Sequence, residues 1–317
     1  MKGSRKKRRV LRAALVGVCV IVLATCALFI GQNLYEKYRT DKLDESVREM
    51  YRGKTEEEDR YAFSLFPSAY AESASEDTAQ KEPDETPQDA IEDAVPEVQS
   101  DFLELYAENE HIVGWLTMGE SIDYPVVQYD NEYYLTHNFF GKGDSNGTLF
   151  VNMDNRLWPR DDVLLIHGHN MKSGAMFGRL TRYEKYDYLC KYPIVTFRTI
   201  FDAEDVHYVP VAGFNASMIQ GNSDYFDIMQ LNFENDIAEE SASAEAAGRQ
   251  SAAFQQYLDD VRTLSLWESP VEVDVNDELL MLVTCSYKNE DGRFILICRK
   301  LRDGETPETV AALFPQD

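Results

Sequence analysis

Apolar and polar positions divide the chain into three regimes. From Ala13 to Ile30 every residue is uncharged and nearly all are apolar. A run of that length is about enough to cross ~30 Å of hydrocarbon as a helix. From Thr55 to Ser100 no helical or strand period is visible, apart from a small apolar island, YAFSLFPSAY, at 61–70. From Asp101 onward short apolar segments recur between Gly, Asn, Asp and Pro, the pattern of strands and turns. Strands are predicted at Trp115–Met118, Ile122–Gln128, Thr148–Val151, Asp162–Gly168, Ile194–Arg198, Val206–Asn215, Glu278–Ser286 and Arg293–Leu301. Phe102, Leu105 and Tyr106 share a face of a short helix leading into the first strand. Phe254, Tyr257, Leu258, Val261 and Leu264 form the stripe of one longer helix, and 174–192 holds short helical pieces. Eight strands with few helices point to a barrel or sandwich rather than alternating β-α units.

Charge sharpens this division. Residues 1–12 carry seven Lys or Arg and no acid, directly before the apolar run, and acids follow soon after it at Glu36, Asp41, Asp44 and Glu45. That asymmetry predicts a single-pass anchor with the N-terminus in the cytoplasm and the remainder exported. Residues 32–54 read as a juxtamembrane helix. Residues 55–100 hold 14 acids against Arg60 and Lys81, too little apolar surface to offset the entropy of ordering, and are expected to form a disordered stalk. The expected organisation is therefore a basic tail at 1–12, an anchor at 13–31, a juxtamembrane segment and acidic stalk at 32–100, and a folded domain at 101–317. The formal net charge of −25 argues against a nucleic-acid partner. Outside the anchor lie Cys190, Cys285 and Cys298, an odd number that leaves at least one thiol unpaired in an exported protein.

Candidate chemistry gathers at the last two strands. Cys285 closes the first and Arg293 opens the second, across a polar stretch ending in Asp-Gly, a turn signal. Strand side chains alternate faces, so Cys285 opposite Arg293 would project both from one face, and a one-residue slip would part them. A neighbouring guanidinium favours thiolate over thiol and can donate to a developing oxyanion. The bland alternative is a core cysteine beside a solvated arginine. A thiol nucleophile also wants an imidazole. Of the five histidines, His167 and His169 stand where an apolar strand runs out into Gly168 and Asn170. A zinc reading of His-x-His lacks further ligands at useful spacing.

The stretches VGWL, IDYPVVQ, DNEYYLTHNF, GTLFVNMDN, HGHNMKSGAMFG, LVTCSY and DGRFILI, in that order, resemble class B sortases, membrane-anchored cysteine transpeptidases of Gram-positive bacteria. The resemblance implies an eight-stranded barrel with N-terminal helices and a long helix before the cysteine-bearing strand. It implies Cys285 as nucleophile, His169 as the catalytic histidine and Arg293 as the catalytic arginine, with no cofactor and no metal. Asn131 and Leu135 correspond to residues of the family's sorting-signal groove and would share a face if their turn is helical. His167, Thr284 and Ser286 are the other expected substrate contacts. His167 stands where the family often has tyrosine, and the stalk is longer than the family leads one to expect. The implied partners are exported proteins bearing a C-terminal sorting signal and an amine from a peptidoglycan precursor or a pilin. A cysteine hydrolase using the same residues, or a non-catalytic surface module, would share much of this sequence.

Overall fold

The computed structural model describes residues 2–52, 96–233, 244–288 and 290–315, with the backbone alone for 2–21, 29, 33, 36, 37 and 244–251. The island at 61–70 and nearly all of the acidic stalk lie outside the described residues. The chain divides into two compact units, Met1–Met50 and Tyr51–Asp317.

Helix α1 runs without a break over Lys2–Arg52, so the stretches expected as an anchor and a juxtamembrane helix lie on one helix. The anchor expected at 13–31 falls in good part on residues whose side chains are outside the described set. Among the described residues no helix is long and apolar enough to cross a membrane. Val22, Leu23, Leu28 and Ile30 are nonetheless exposed along α1.

The second unit is a closed barrel. After the short helix α2 (Leu103–Glu108) come β1 (Ile112–Met118), β2 (Ile122–Val127), β3 (Leu149–Val151) and β4 (Val163–His167). Helix α3 (Tyr186–Lys191), β5 (Val195–Thr199) and β6 (His207–Ser217) follow, then α4 (Ala244–Leu264), β7 (Leu279–Ser286), β8 (Gly292–Lys300) and α5 (Pro307–Ala311). Neighbours around the barrel run β1-β2-β3-β4-β7-β8-β6-β5 and back to β1. The pairs β2–β3 and β4–β7 are parallel and the remaining pairs antiparallel. Each predicted strand is present, with ends displaced by a few residues at most.

Burial explains the two kinds of strand pattern. β5 alternates buried and half-buried residues, as a strand with one wet face should. β7 lies between parallel β4 and antiparallel β8 and is buried along nearly its whole length, hence its unbroken Leu-Leu-Met-Leu-Val run. The stripe of α4 packs on β6, with Phe254, Tyr257, Leu258 and Val261 buried and Leu264 half-buried. Phe102 and Leu105 of the α2 region are buried as their spacing predicts. The Gln99 N–H donates to Ile200 O at 2.8 Å, so the barrel's backbone pairing reaches slightly upstream of Asp101.

Candidate active site

β7 is the axis of the site. On one side it pairs with β8 in a register that sets Cys285 directly opposite Arg293. On the other it pairs in parallel with β4, whose last matched residues are His167 and Val283. Two further residues along each strand give His169 and Cys285. The closed order β4-β7-β8 therefore flanks the thiol with the histidine-bearing strand end on one side and the arginine on the other. Cys285 is half-buried and free of any disulfide.

Hydrogen bonds tie the histidine loop to the cysteine strand. Gly168 N–H donates to Val283 O at 3.1 Å, Thr284 Oγ1 to Gly168 O at 2.7 Å and Asn170 Nδ2 to Cys285 O at 2.8 Å. Gly168 is required by space: a Cβ there would lie 2.4 Å from Leu149 Cδ2 and 2.6 Å from Phe177 Cδ2, both on fully buried side chains.

The imidazole of His169 is oriented by a backbone carbonyl. Its Nε2 lies 2.8 Å from Leu135 O. A carbonyl can only accept, so Nε2 carries the proton and Nδ1 of the neutral ring keeps its lone pair. Leu135 closes a 3-10 turn, Tyr133–Leu135. Asp130 opens that turn, its Oδ1 accepting the N–H groups of Glu132 at 2.9 Å and Tyr133 at 2.6 Å. These bonds, that from Tyr133 first, hold the Asp130 carboxyl below its usual range. Gly147 packs beneath the turn at φ 63°, where a Cβ would fall 2.4 Å from Tyr134 O.

The helical face expected for Asn131 and Leu135 does not form. Asn131 precedes the 3-10 turn, and its Oδ1 accepts the Met153 N–H at 2.9 Å. Leu135 meets the site through its carbonyl. Thr284 is buried and its hydroxyl faces Gly168. Ser286 is buried as well, donating to Asn215 Oδ1 at 2.6 Å, while Asn215 Nδ2 donates to Glu184 at 3.1 Å. Both hydroxyls are thus committed to protein partners. Arg293 Nη1 donates to Asp291 Oδ1 at 2.9 Å and to Gly292 O at 3.0 Å. Asp291 sits at φ 45°, a left-handed conformation that a short polar side chain tolerates.

His167 is a different kind of residue from His169. Its ring stacks on Phe150 with centroids 5.0 Å apart, and Asn152 Nδ2 donates to its Nε2 at 3.3 Å. Burial, then the positive charge of Arg293, pushes its pKa from 6.5 down to about 4. The folded protein thus holds this ring neutral while the unfolded chain takes up a proton below pH ~6.5. Its contribution to stability is full above about pH 6.5 and lost as pH falls through about 4. We expect His167→Gln to show a shallower loss of stability over that window than the wild type, read from urea midpoints at successive pH values. Parallel curves would show that His167 is not the titrating group.

Asn170, Asn152, Asp130 and Asp291 were not apparent as site residues in the sequence. Each acts through a contact between distant or turn-linked segments, and no spacing announces it. The His-x-His pair also presents unlike nitrogens: Nε2 of His167 accepts from an amide, whereas Nε2 of His169 donates to a carbonyl. Among the described residues no group of three or more His, Cys, Asp or Glu is placed to hold a metal ion.

Comparison with known proteins bears on the fold that carries this site. No family model matches the chain. A sortase B of Listeria monocytogenes is 29% identical over 204 residues, covering 63% of this chain and 74% of that protein. The chain is a homologue of the class B sortases. A Staphylococcus aureus sortase B is 26% identical over 209 residues, 65% of this chain and 76% of the relative. The crystal structure of Staphylococcus aureus sortase B superposes with a TM-score of 0.54 at 23% identity, covering 65% of this chain and 88% of that one. The class B sortase architecture, an eight-stranded closed barrel preceded by helices, is the one observed here.

Proposed function

We propose that the chain is a cysteine transpeptidase that cleaves a C-terminal sorting signal of exported proteins and passes the acyl group to an amine. The observation that carries this reading is the register of β7, which pairs Cys285 with Arg293 and runs in parallel with the strand leading to His169. In this reading Nδ1 of His169 takes the proton of the Cys285 thiol, and the thiolate so formed attacks the scissile carbonyl. Arg293 and nearby backbone N–H groups hold the oxyanion of the tetrahedral intermediate. Collapse breaks the C–N bond, and His169 gives a proton to the leaving amine. The thioester then accepts an incoming amine, which gives its proton to His169 as the new amide forms and the thiolate leaves. An amine of a peptidoglycan precursor or of a pilin would serve. Support comes from neighbouring sortase B structures solved with a substrate and with Gly3.

The same reading places the enzyme at the outer face of the cell membrane of a Gram-positive bacterium. Its support is the basic cluster before the Ala13–Ile30 run and the exposed apolar side chains along α1.

The test is a ligation assay. Quenched pentapeptides carrying threonine at the scissile position, incubated with the full-length chain and triglycine, should yield a peptide–triglycine amide by mass spectrometry. Hydrolysis alone, undiminished by triglycine, would make the protein a cysteine hydrolase instead. No cleavage, with an unreactive Cys285, would leave a binding module.

Arg293 offers a finer test. Guanidinium is planar with several donors, whereas lysine is a compact point charge. If Arg293 holds an oxyanion or the substrate backbone in fixed geometry, lysine should fail although the charge is kept. Losing one well-placed oxyanion donor costs on the order of 3 kcal/mol, about 10²-fold in rate. Arg293→Lys should lose at least that factor in kcat while Cys285 reacts with iodoacetamide at a near-normal rate. Near-wild-type turnover would leave Arg293 only an electrostatic role.

A further inference from the structure

The thiol and the imidazole are carried by two parallel strand ends, and something must fix their separation. Within a sheet, neighbouring strands lie about 4.8 Å apart. A backbone ladder continued to His169 and Cys285 would keep them at that spacing, leaving little room for a peptide carbonyl. The ladder instead stops at the Gly168 N–H to Val283 O bond. Beyond it two side chains bridge the strands in opposite senses. Thr284 Oγ1 of β7 reaches to Gly168 O, and Asn170 Nδ2 of the histidine loop reaches to Cys285 O, at 2.7 and 2.8 Å. Sliding either strand along the other breaks one of the two bonds.

The loop that bears Asn170 is closed on itself. His169 O accepts the N–H groups of Met171 at 3.1 Å and Phe177 at 3.0 Å, and Asn170 pairs with Met176 as an isolated bridge. His169 and Asn170 therefore move as one piece, and the Asn170 amide fixes that piece against the carbonyl of the nucleophile's own residue.

We propose that Asn170 is a positioning residue, acting with Thr284 as a reciprocal latch that sets the distance between His169 and Cys285 for proton transfer to and from the amine. This rests on the transpeptidase reading above. An ångström of misplacement at a reacting centre can cost about 10²-fold in rate.

The experiment uses the full-length chain, triglycine and the Thr-containing quenched peptide that the wild type cleaves fastest. Asn170→Ala and Thr284→Val should each lower kcat by roughly ten- to a hundredfold with KM within about twofold, as expected for groups acting on the chemical step. Thr284→Ser, which keeps the hydroxyl, should restore kcat to within about threefold. Asn170→Asp, of the same shape but without the amide donor, should be no better than Asn170→Ala. The double variant should lose less than the product of the single losses, because either bond broken frees the same latch. Thermal unfolding of each variant separates positioning from folding. Asn170→Ala with kcat within twofold of wild type overturns the proposal, as does a kcat loss that follows unfolding or that Thr284→Ser does not relieve. A wild-type chain that cleaves no peptide of the panel fails the transpeptidase reading itself, and this inference with it.

Discussion

Cys285→Ala is expected to reduce transpeptidation to background while leaving the barrel folded. The thiol is half-buried at the end of β7, and its backbone carbonyl, which accepts from Asn170, is untouched by the substitution. Little buried volume is removed, so stability should change by no more than about 1 kcal/mol. The other thiols of the barrel cannot substitute. Cys298 is fully buried on β8, where burial pushes its thiol far above the usual range and keeps it protonated. Cys190 lies on α3, half-buried and packed against the apolar core, on none of the three strands that make up the site. Peptide cleavage, triglycine ligation and iodoacetamide labelling of Cys285 followed by mass spectrometry should all be lost together. Substantial ligation by the alanine variant would remove the thiol from the mechanism.

Much of the barrel was legible because its strands are written in local chemistry. β7 and β8 are apolar runs bounded by polar turn residues, and Asp291-Gly292 closes the hairpin with the positive φ at Asp291. Cys285 opposite Arg293 followed from alternation once one register was assumed, and that register is observed. The start of β1 was missed by three residues because Gly114 interrupts the apolar pattern. That glycine is kept by close approach, since a Cβ there would meet Arg198 O at 2.4 Å. The C-terminal helix α5 carried its own signature, Thr306 as N-cap followed by Pro307, which strand-seeking passes over.

The order of the strands around the barrel was not legible. The parallel β2–β3 and β4–β7 pairs join segments linked by long connections, and no local pattern names such partners. The site divides in the same way. Cys285, His169 and Arg293 could be singled out because their chemistry is rare at strand ends. Asn170 and Asp130 could not, because an asparagine or aspartate in a loop is ordinary until the fold brings a carbonyl or an amide to it. The Asn131–Leu135 face assumed an α-helical turn, whereas Asp130 instead collects two N–H groups and tightens the segment into a 3-10 turn at Tyr133–Leu135.

His169→Ala should lower kcat by roughly 10²- to 10⁴-fold, the usual contribution of a positioned acid-base group. The geometry gives that loss a direction. Nε2 is spent on Leu135 O, so Nδ1 is the nitrogen left to move a proton. Neither His169→Asn nor His169→Gln, even with its amide on the same carbonyl, can accept and return a proton, so neither should rescue turnover. His167→Ala should behave differently. That ring is held neutral to about pH 4 by burial and by Arg293, so it cannot serve as a proton shuttle near neutrality. Its loss removes the stack on Phe150 and the bond from Asn152, and should raise KM with kcat largely kept. Steady-state kinetics of the two alanine variants decide the matter. Equal kcat losses for both, relieved by added zinc, would favour a metal shared by the two histidines and overturn the division of roles drawn here.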